Sequence, residues 1–422
     1  MITGCQDYRL TRRAMLAASA AGSASLLGMN VNTLLAAAGK DGPAKAEHVI
    51  LFWNGGGMSH IDTWDPKPGR PTGGELAPIK TSVPGIEISE IFPRLAKQMH
   101  HCSLIRSVAG TQGDHGRATH HVQTSYLPFP NLVYPGMGSV VAHEMPAMGD
   151  LPAFITISGL AHRAGYLGQK CEAYFVPQPG DKDPYLAFPE GIAEMRGNKR
   201  LEVLAKFNQR FTATSTDERL RSTETSIDEA VRLMRSPALE AFEFGKVPTE
   251  TIERYGNNAF GRGCLLAKRL VDKGVRFIQI NRGGYDTHAN NFEAMRNHGE
   301  VMDPGLASLV QDLADSGQLQ KTLIVMLSEF GRTPKINDDV GRDHWASVFS
   351  CFMAGGGLKG GTVVGSSDED GAHPKDRPVK VQDIHATVCQ ALGIDPNKEV
   401  MTPLRRPMKL VDNGTPVHEL FA

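Results

Sequence analysis

Cysteine is scarce and poorly spaced for metal work. The six in 422 residues form neither a C-x-x-C pair nor C-x-x-C-H, which argues against a thiolate zinc site and removes c-type haem and iron–sulfur ligation. Cys5 falls in a leader segment, so Cys102, Cys171, Cys264, Cys351 and Cys389 remain as an odd set. No complete disulfide framework can be drawn from them; buried free thiols are expected, with room for one disulfide. Surplus charge is lacking too. The 45 basic and 46 acidic residues leave a net charge of -1, without the electrostatic footprint of a general nucleic-acid binder, so nucleic acid is excluded as a partner. Beyond the leader no stretch approaches the roughly 20 apolar residues of a membrane span, and no transmembrane anchor is expected in the mature chain. There is no Walker spacing, no internal repeat and no low-complexity linker. What is present is a folding composition, 41% hydrophobic and 22% charged with 45 Gly and 26 Pro, which excludes wholesale disorder, collagen and a coiled coil.

Residues 1–38 read as an address. Arg12-Arg13 stands directly before an uncharged stretch of Ala, Ser, Gly and Leu that ends in small residues, the layout of a twin-arginine export signal. Cleavage fits after Ala38, or after Ala46 in AKA. This implies the twin-arginine translocase as a partner during export and a periplasmic or secreted mature protein. Such export carries folded proteins, so a cofactor can be loaded beforehand.

The mature chain, 47–422, reads as one α/β domain. His48 to Trp53, Ser103 to Val108 and Ala153 to Ile157 suit short strands, and a helical middle follows at about 189–272, closing with Gly274 in a helix-stop position. Val275 to Ile280, Thr322 to Leu327 and Val348 to Met353 are apolar, β-branched runs of the kind that form central parallel strands buried on both faces, with a helix from about Glu293 to Leu313 between them. The expected architecture is a three-layer sandwich: a mainly parallel sheet with helices on both sides.

Polar residues gather where these strands end. VRFIQI runs into NRGGYDTHANN, TLIVML into SEFGRTP, and GRDHW precedes VFSCFM. Ligands of open α/β sheets bind beyond the carboxyl ends of strands, which brings Asp286, His288 and Glu329 together, joined by His344 from its loop. Carboxylate with imidazole suits zinc first, then manganese or another first-row divalent ion; calcium would ask for more oxygens. A single Asp-x-His pair is more often a turn than a metal site, and it is the repetition at successive strand ends that gives the reading weight. Arg332 and Arg342 are candidates for a substrate anion, because a guanidinium fork matches sulfate or phosphate oxygens two at a time; surface salt bridges are the plainer alternative.

The strings NGGGMSHIDTWDPKP, RYGNNAFGRGCLLAKRLVDKGVRFIQI, GGYDTHANN, SEFGRTP, GRDHW and AGGGLKGGTVVGSSDEDG resemble the bacterial family called domain of unknown function 1501, from about His48 to Leu392. That family is grouped by fold with the alkaline phosphatase and sulfatase superfamily. The segment VQDIHATVCQALGID is similar to the late helix of sulfatases. The resemblance implies a hydrolase of sulfate or phosphate esters, small-molecule or polysaccharide, with one or two divalent metals. Asp286 and His288 would then belong to one metal site, His344 would complete it, and Glu329 falls where the superfamily usually has the Asp of an Asp-His pair.

The departures are specific. Asn54 stands where the phosphatases place a metal-binding Asp, with His60 and Asp62 following as weaker metal candidates, and Phe330 replaces a histidine ligand. One metal site is therefore expected rather than two, unless His60 and Asp62 rebuild the second. The nucleophile segment GTQGDHGRATHHVQTSY carries no Cys; Thr111, Thr119, His115 and Arg117 are the catalytic candidates, beside Asp114, His120 and His121. A non-catalytic binding or structural protein of the cell envelope on the same scaffold is the alternative function.

Overall fold

The computed structural model describes residues 46–180, 186, 188, 191–213, 227 and 229–421, within a compact unit spanning Lys45–Ala422. Residues 1–38, read from the sequence as a twin-arginine signal, lie outside the described residues. Nine strands make one sheet: β1 (His48–Asn54), β2 (Cys102–Ala109), β3 (Phe154–Ile157), β4 (Tyr174–Val176), β5 (Phe277–Arg282), β6 (Thr322–Leu327), β7 (Phe349–Gly355), β8 (Thr362–Val364) and β9 (Val379–Lys380). Their order is β8-β2-β7-β6-β1-β5-β3-β4, with β9 also paired to β2. Helices whose bounds are described include α1 (His115–Thr124), α2 (Met137–Glu144), α3 (Glu194–Ala213), α4 (Thr249–Tyr255), α5 (Ala259–Asp272), α6 (Asn291–Asp315) and α7 (Val381–Leu392).

Every residue of β1, β6 and β7 is buried, because alternate side chains enter two different cores. Ile50, Phe52, Ile278, Ile280, Ile324 and Met326 pack with residues of α5 and α6. Val49, Leu51, Trp53, Phe277, Val325 and Leu327 pack with residues of α1, α2 and α7. Two cores on opposite faces of one sheet are the expected three-layer α/β sandwich. Helix α5 shows how its ends are set: the Asn258 side chain accepts from Gly261 N at the start, worth about 1 kcal/mol against alanine. At its end Gly274 takes φ +83° while Val275 N bonds Leu270 O at 3.1 Å, the left-handed stop that glycine favours. All five described cysteines are buried and free.

One strand runs against expectation. Eight strands share a direction, but β7 is antiparallel to both neighbours, β2 and β6. Its apolar sequence reports burial on both faces and carries no information on direction. Direction follows from the connection. A parallel partner needs a crossover to the far edge, whereas the segment between Leu327 and Phe349 contains only short ladders and turns and re-enters the sheet at the edge it left. That return places the chain just before β7 at the carboxyl edge of β1, β2, β5 and β6.

Candidate functional site

The loops leaving β1, β2, β5 and β6, and the one entering β7, converge on Asp286. Gly56, after β1, has φ +117°, and a Cβ there would sit 2.5 Å from Asp286 N, so this turn tolerates only glycine. Its backbone serves the site: Gly56 N donates to Glu329 Oε1 at 2.8 Å. The Arg332 side chain, fully buried, bonds Gly57 O at 2.9 Å and Arg342 O at 3.0 Å, and contacts Gly56 O and Asp286 Oδ1. A two-residue ladder pairs Arg332 with His344, which fixes where His344 enters.

Three imidazoles surround the Asp286 carboxylate. His288 Nε2 lies 3.0 Å and His344 Nε2 3.1 Å from Oδ1, while His115 Nε2 lies 3.3 Å from Oδ2. Each ring is oriented from behind by an atom that can only accept. His115 Nδ1 meets Glu329 Oε1 at 2.8 Å, His288 Nδ1 meets Asp343 Oδ1 at 2.6 Å, and His344 Nδ1 meets Gly113 O at 2.8 Å. With carboxylates and a carbonyl as partners, Nδ1 carries the hydrogen in all three, and Nε2 is the atom that each ring turns to the centre. Phe330, fully buried, backs the rings at 4.6 Å from His344 and 5.0 Å from His115.

This donor set suits a divalent cation. His288 Nε2 and His344 Nε2 stand 3.0 Å apart, near the spacing of two nitrogen ligands on one ion. Nitrogen ligands about 2.0–2.1 Å from a tetrahedral ion sit roughly 3.3 Å apart. His115 Nε2 is buried with no hydrogen-bond partner, and His115, Asp286 and His344 each offer an atom within 4.8 Å of the others. For Asp286 burial works to raise the pKa, but hydrogen bonds from Arg332 and His344 and the charge of Arg332 outweigh it and hold the carboxyl well below the usual carboxylate range.

Residues 46–421 match the family described as protein of unknown function (DUF1501). The chain belongs to the DUF1501 family. No curated protein matches the chain. Among solved structures it is similar to the lipoteichoic acid synthase LtaP from Listeria monocytogenes (12% identity, 83% of this chain and 73% of that one, TM-score 0.34). It is also similar to the PsFucS1 sulfatase from Pseudoalteromonas sp. (14%, 90% and 72%, TM-score 0.35). A third is the alkaline phosphatase of the Antarctic bacterium TAB5 (12%, 83% and 99%, TM-score 0.36). Likenesses at this level leave the site of this DUF1501 chain to be argued from its own geometry.

The structure thus gathers Asp286, His288 and His344, and adds His115 from the nucleophile segment as a ligand-type residue. Glu329 lies one contact further out: only 3% of its side chain is exposed, and its oxygens receive His115, Gly56 N and the Ser328 hydroxyl. Thr111 and Arg117 are exposed, and Arg117 Nε binds Gln112. Asp114 caps α1, His120 stacks edge-on against Tyr134 and His162, and His121 is buried. His60 and Asp62 are not brought to the cluster. His60 is buried with Nε2 on Gly371 O at 2.8 Å, and burial lowers its pKa. Asp62 is fully buried and takes Arg342 at 2.7 and 3.1 Å, Asn291 at 2.9 Å and Ser59 at 2.5 Å.

Arg342 spends all five donors inside the protein: two on Asp62, and one each on Thr72 O, Thr333 O and Pro334 O. Nothing is left to grip a substrate anion. Arg332 commits four of its donors, three to backbone carbonyls and one to Asp286. Asp343, the orienter of His288, went unrecognised in the sequence although it stands beside His344 in the RDHW string; adjacency to a candidate ligand was the available signal.

Proposed function

We propose that this DUF1501 protein is an exported, metal-dependent hydrolase of sulfate or phosphate esters, on a small molecule or a polysaccharide, with a single divalent ion, zinc first. The observation that carries the reading is the set of three histidines, each fixed at Nδ1 and turned by Nε2 toward one carboxylate. His115, His288, His344 and Asp286 would hold the ion, which when bound supplies Lewis acidity to an ester oxygen and to a water molecule. Arg332 keeps Asp286 ionised and in place. Glu329, Asp343 and the Gly113 carbonyl keep the imidazoles in the tautomer that binds. Phe330 excludes water behind them. Export rests on the Arg12-Arg13 leader, and is a proposal on the same footing.

Elemental analysis of protein purified without chelator is the test: about one equivalent of divalent metal in the wild type is expected. Asp286→Ala and His344→Ala should lose both metal and ester hydrolysis while staying folded. Wild-type metal content in both variants would overturn the site.

A second reading has its own observation. Among the described residues no hydroxyl or thiol hydrogen-bonds Asp286, His115, His288 or His344, so no protein nucleophile is in place and a metal-holding binding protein of the envelope is the alternative. Turnover of any ester in a sulfate and phosphate panel, lost in Asp286→Ala, separates the two.

A further inference from the structure

His288 is carried by the irregular segment between β5 and α6, where no strand or helix fixes its main chain. Its ring is aimed by Asp343, whose Oδ1 takes Nδ1 at 2.6 Å, but a ring held only there swings with its backbone. The backbone is held by Asn337. Its Nδ2 donates to His288 O at 2.9 Å and, at 3.4 Å, to the same Asp343 Oδ1. Its Oδ1 accepts from Gly341 N at 2.8 Å and Asp339 N at 3.1 Å. Both donors and both lone pairs of the amide are therefore in use, and its partners, two backbone N–H groups, a carbonyl and a carboxylate, fix which way the amide points.

The loop that presents Asn337 is bent against its own preferences to lie here. Val340 has φ +56°, a region that a β-branched residue rarely enters, and it stays 45% exposed, so burial does not compensate. Gly341 lies so close that an added Cβ would collide with His288 O. Three backbone bonds clamp the loop on both sides of His288: Asn290 N to Asp339 O at 3.1 Å, Asn291 N to Val340 O at 3.0 Å and Arg342 N to Thr287 O at 3.0 Å. Strain kept at an exposed position, beside one ligand-type histidine, points to a positional role.

We propose that Asn337 is a positioning residue of the site: its carboxamide ties the His288 main chain to the carboxylate that aims the His288 ring, so that ring and backbone are set as one unit. Its effect on metal affinity rests on the metal-site reading above, whereas its effect on the ring belongs to the metal-free protein as well.

Asn337→Asp is the discriminating variant, because an ionised carboxylate still accepts from Gly341 N and Asp339 N but has no hydrogen to give His288 O or Asp343. Asn337→Ala removes both functions. In each, zinc affinity read by chelator competition should fall about tenfold, with an unchanged far-ultraviolet spectrum. In the metal-free protein, the long-range proton–nitrogen spectrum of the imidazoles should show the hydrogen on Nδ1 of His288 in the wild type and shared between both nitrogens in the variants, with His115 unchanged. A His288 pattern in Asn337→Asp that matches wild type would overturn the proposal. So would equal changes at His115 and His288, which would mean a general loosening. A wild type that binds no zinc, with the His288 pattern still lost in the variants, would remove the metal site and leave the positioning role standing.

Discussion

Two fully buried arginines, Arg332 and Arg342, meet carboxylates in opposite settings. Asp62, the partner of Arg342, is wholly buried, whereas 47% of the Asp286 side chain is open to solvent. Around Arg342 every donor has an internal acceptor, and the acceptors come from the loop after β1, from Thr72 and from Thr333–Pro334, with Asn291 at the start of α6 joining through Asp62. That pair ties together the segments that frame the carboxyl edge. Arg332 instead uses three backbone carbonyls to hold its charge still beneath a carboxylate that faces outward. The same two residue types therefore make a strut in one place and half of the proposed ligand site in the other. What separates them is whether the carboxylate has oxygen left to offer.

Four experiments press on that contrast. Asp62→Ala should have the largest effect, because it strands the Arg342 charge in the interior: about 3–5 kcal/mol of stability by urea unfolding. A loss below about 1 kcal/mol would mean that the pair is no strut. Sealed histidines should give the next effect. His385 is buried with Nε2 on Val122 O, and burial lowers its pKa to about 4. A folded pKa below the unfolded value near 6.5 means that the unfolded chain takes up protons first, so stability falls as pH drops through the window from about 6.5 to 4. Between pH 7 and pH 5 the cost is about 2 kcal/mol, and His385→Gln should flatten that slope of stability against pH; an unchanged slope would place the acid sensitivity elsewhere.

Asp286→Ala should cost less than half as much stability as Asp62→Ala, since Arg332 keeps its carbonyl acceptors, yet it should empty the protein of metal. Equal destabilisation with metal retained would reduce both pairs to struts. Asp343→Asn should be the mildest. The Asp343 side chain is 55% exposed, so stability should stay within about 0.5 kcal/mol, while metal affinity measured by chelator competition falls roughly 10–100-fold through loss of control over the His288 ring.

Much of this architecture can be read from the chain. Thr322 to Leu327 is a strand with the predicted bounds, β1 and β2 are each longer than predicted by a residue or two at their ends, and Gly274 stops α5 with positive φ. Unbroken apolar runs and helix stops are local signals, set by burial and by backbone sterics that each residue carries with it. The direction of β7 was not legible, because burial on two faces looks the same in either direction. Nor was the separation of Arg332 from Arg342, whose surroundings in sequence give no count of how many carbonyls will reach each guanidinium.

The sequence by itself determined the strands, the helix ends and the gathering of Asp286, His288 and Glu329 at one edge, since a βα alternation sends the carboxyl ends of β5 and β6 the same way, while His344 reaches that edge only because β7 is reversed. Only the tertiary structure decided that Asp62 and His60 turn inward, that His115 faces the cluster while His120 and His121 do not, and that Asp343 and Glu329 stand behind two of the rings. Those outcomes depend on hydrogen bonds between segments from 55 to 280 residues apart, where a side chain's role is set by the partner that the fold delivers to it.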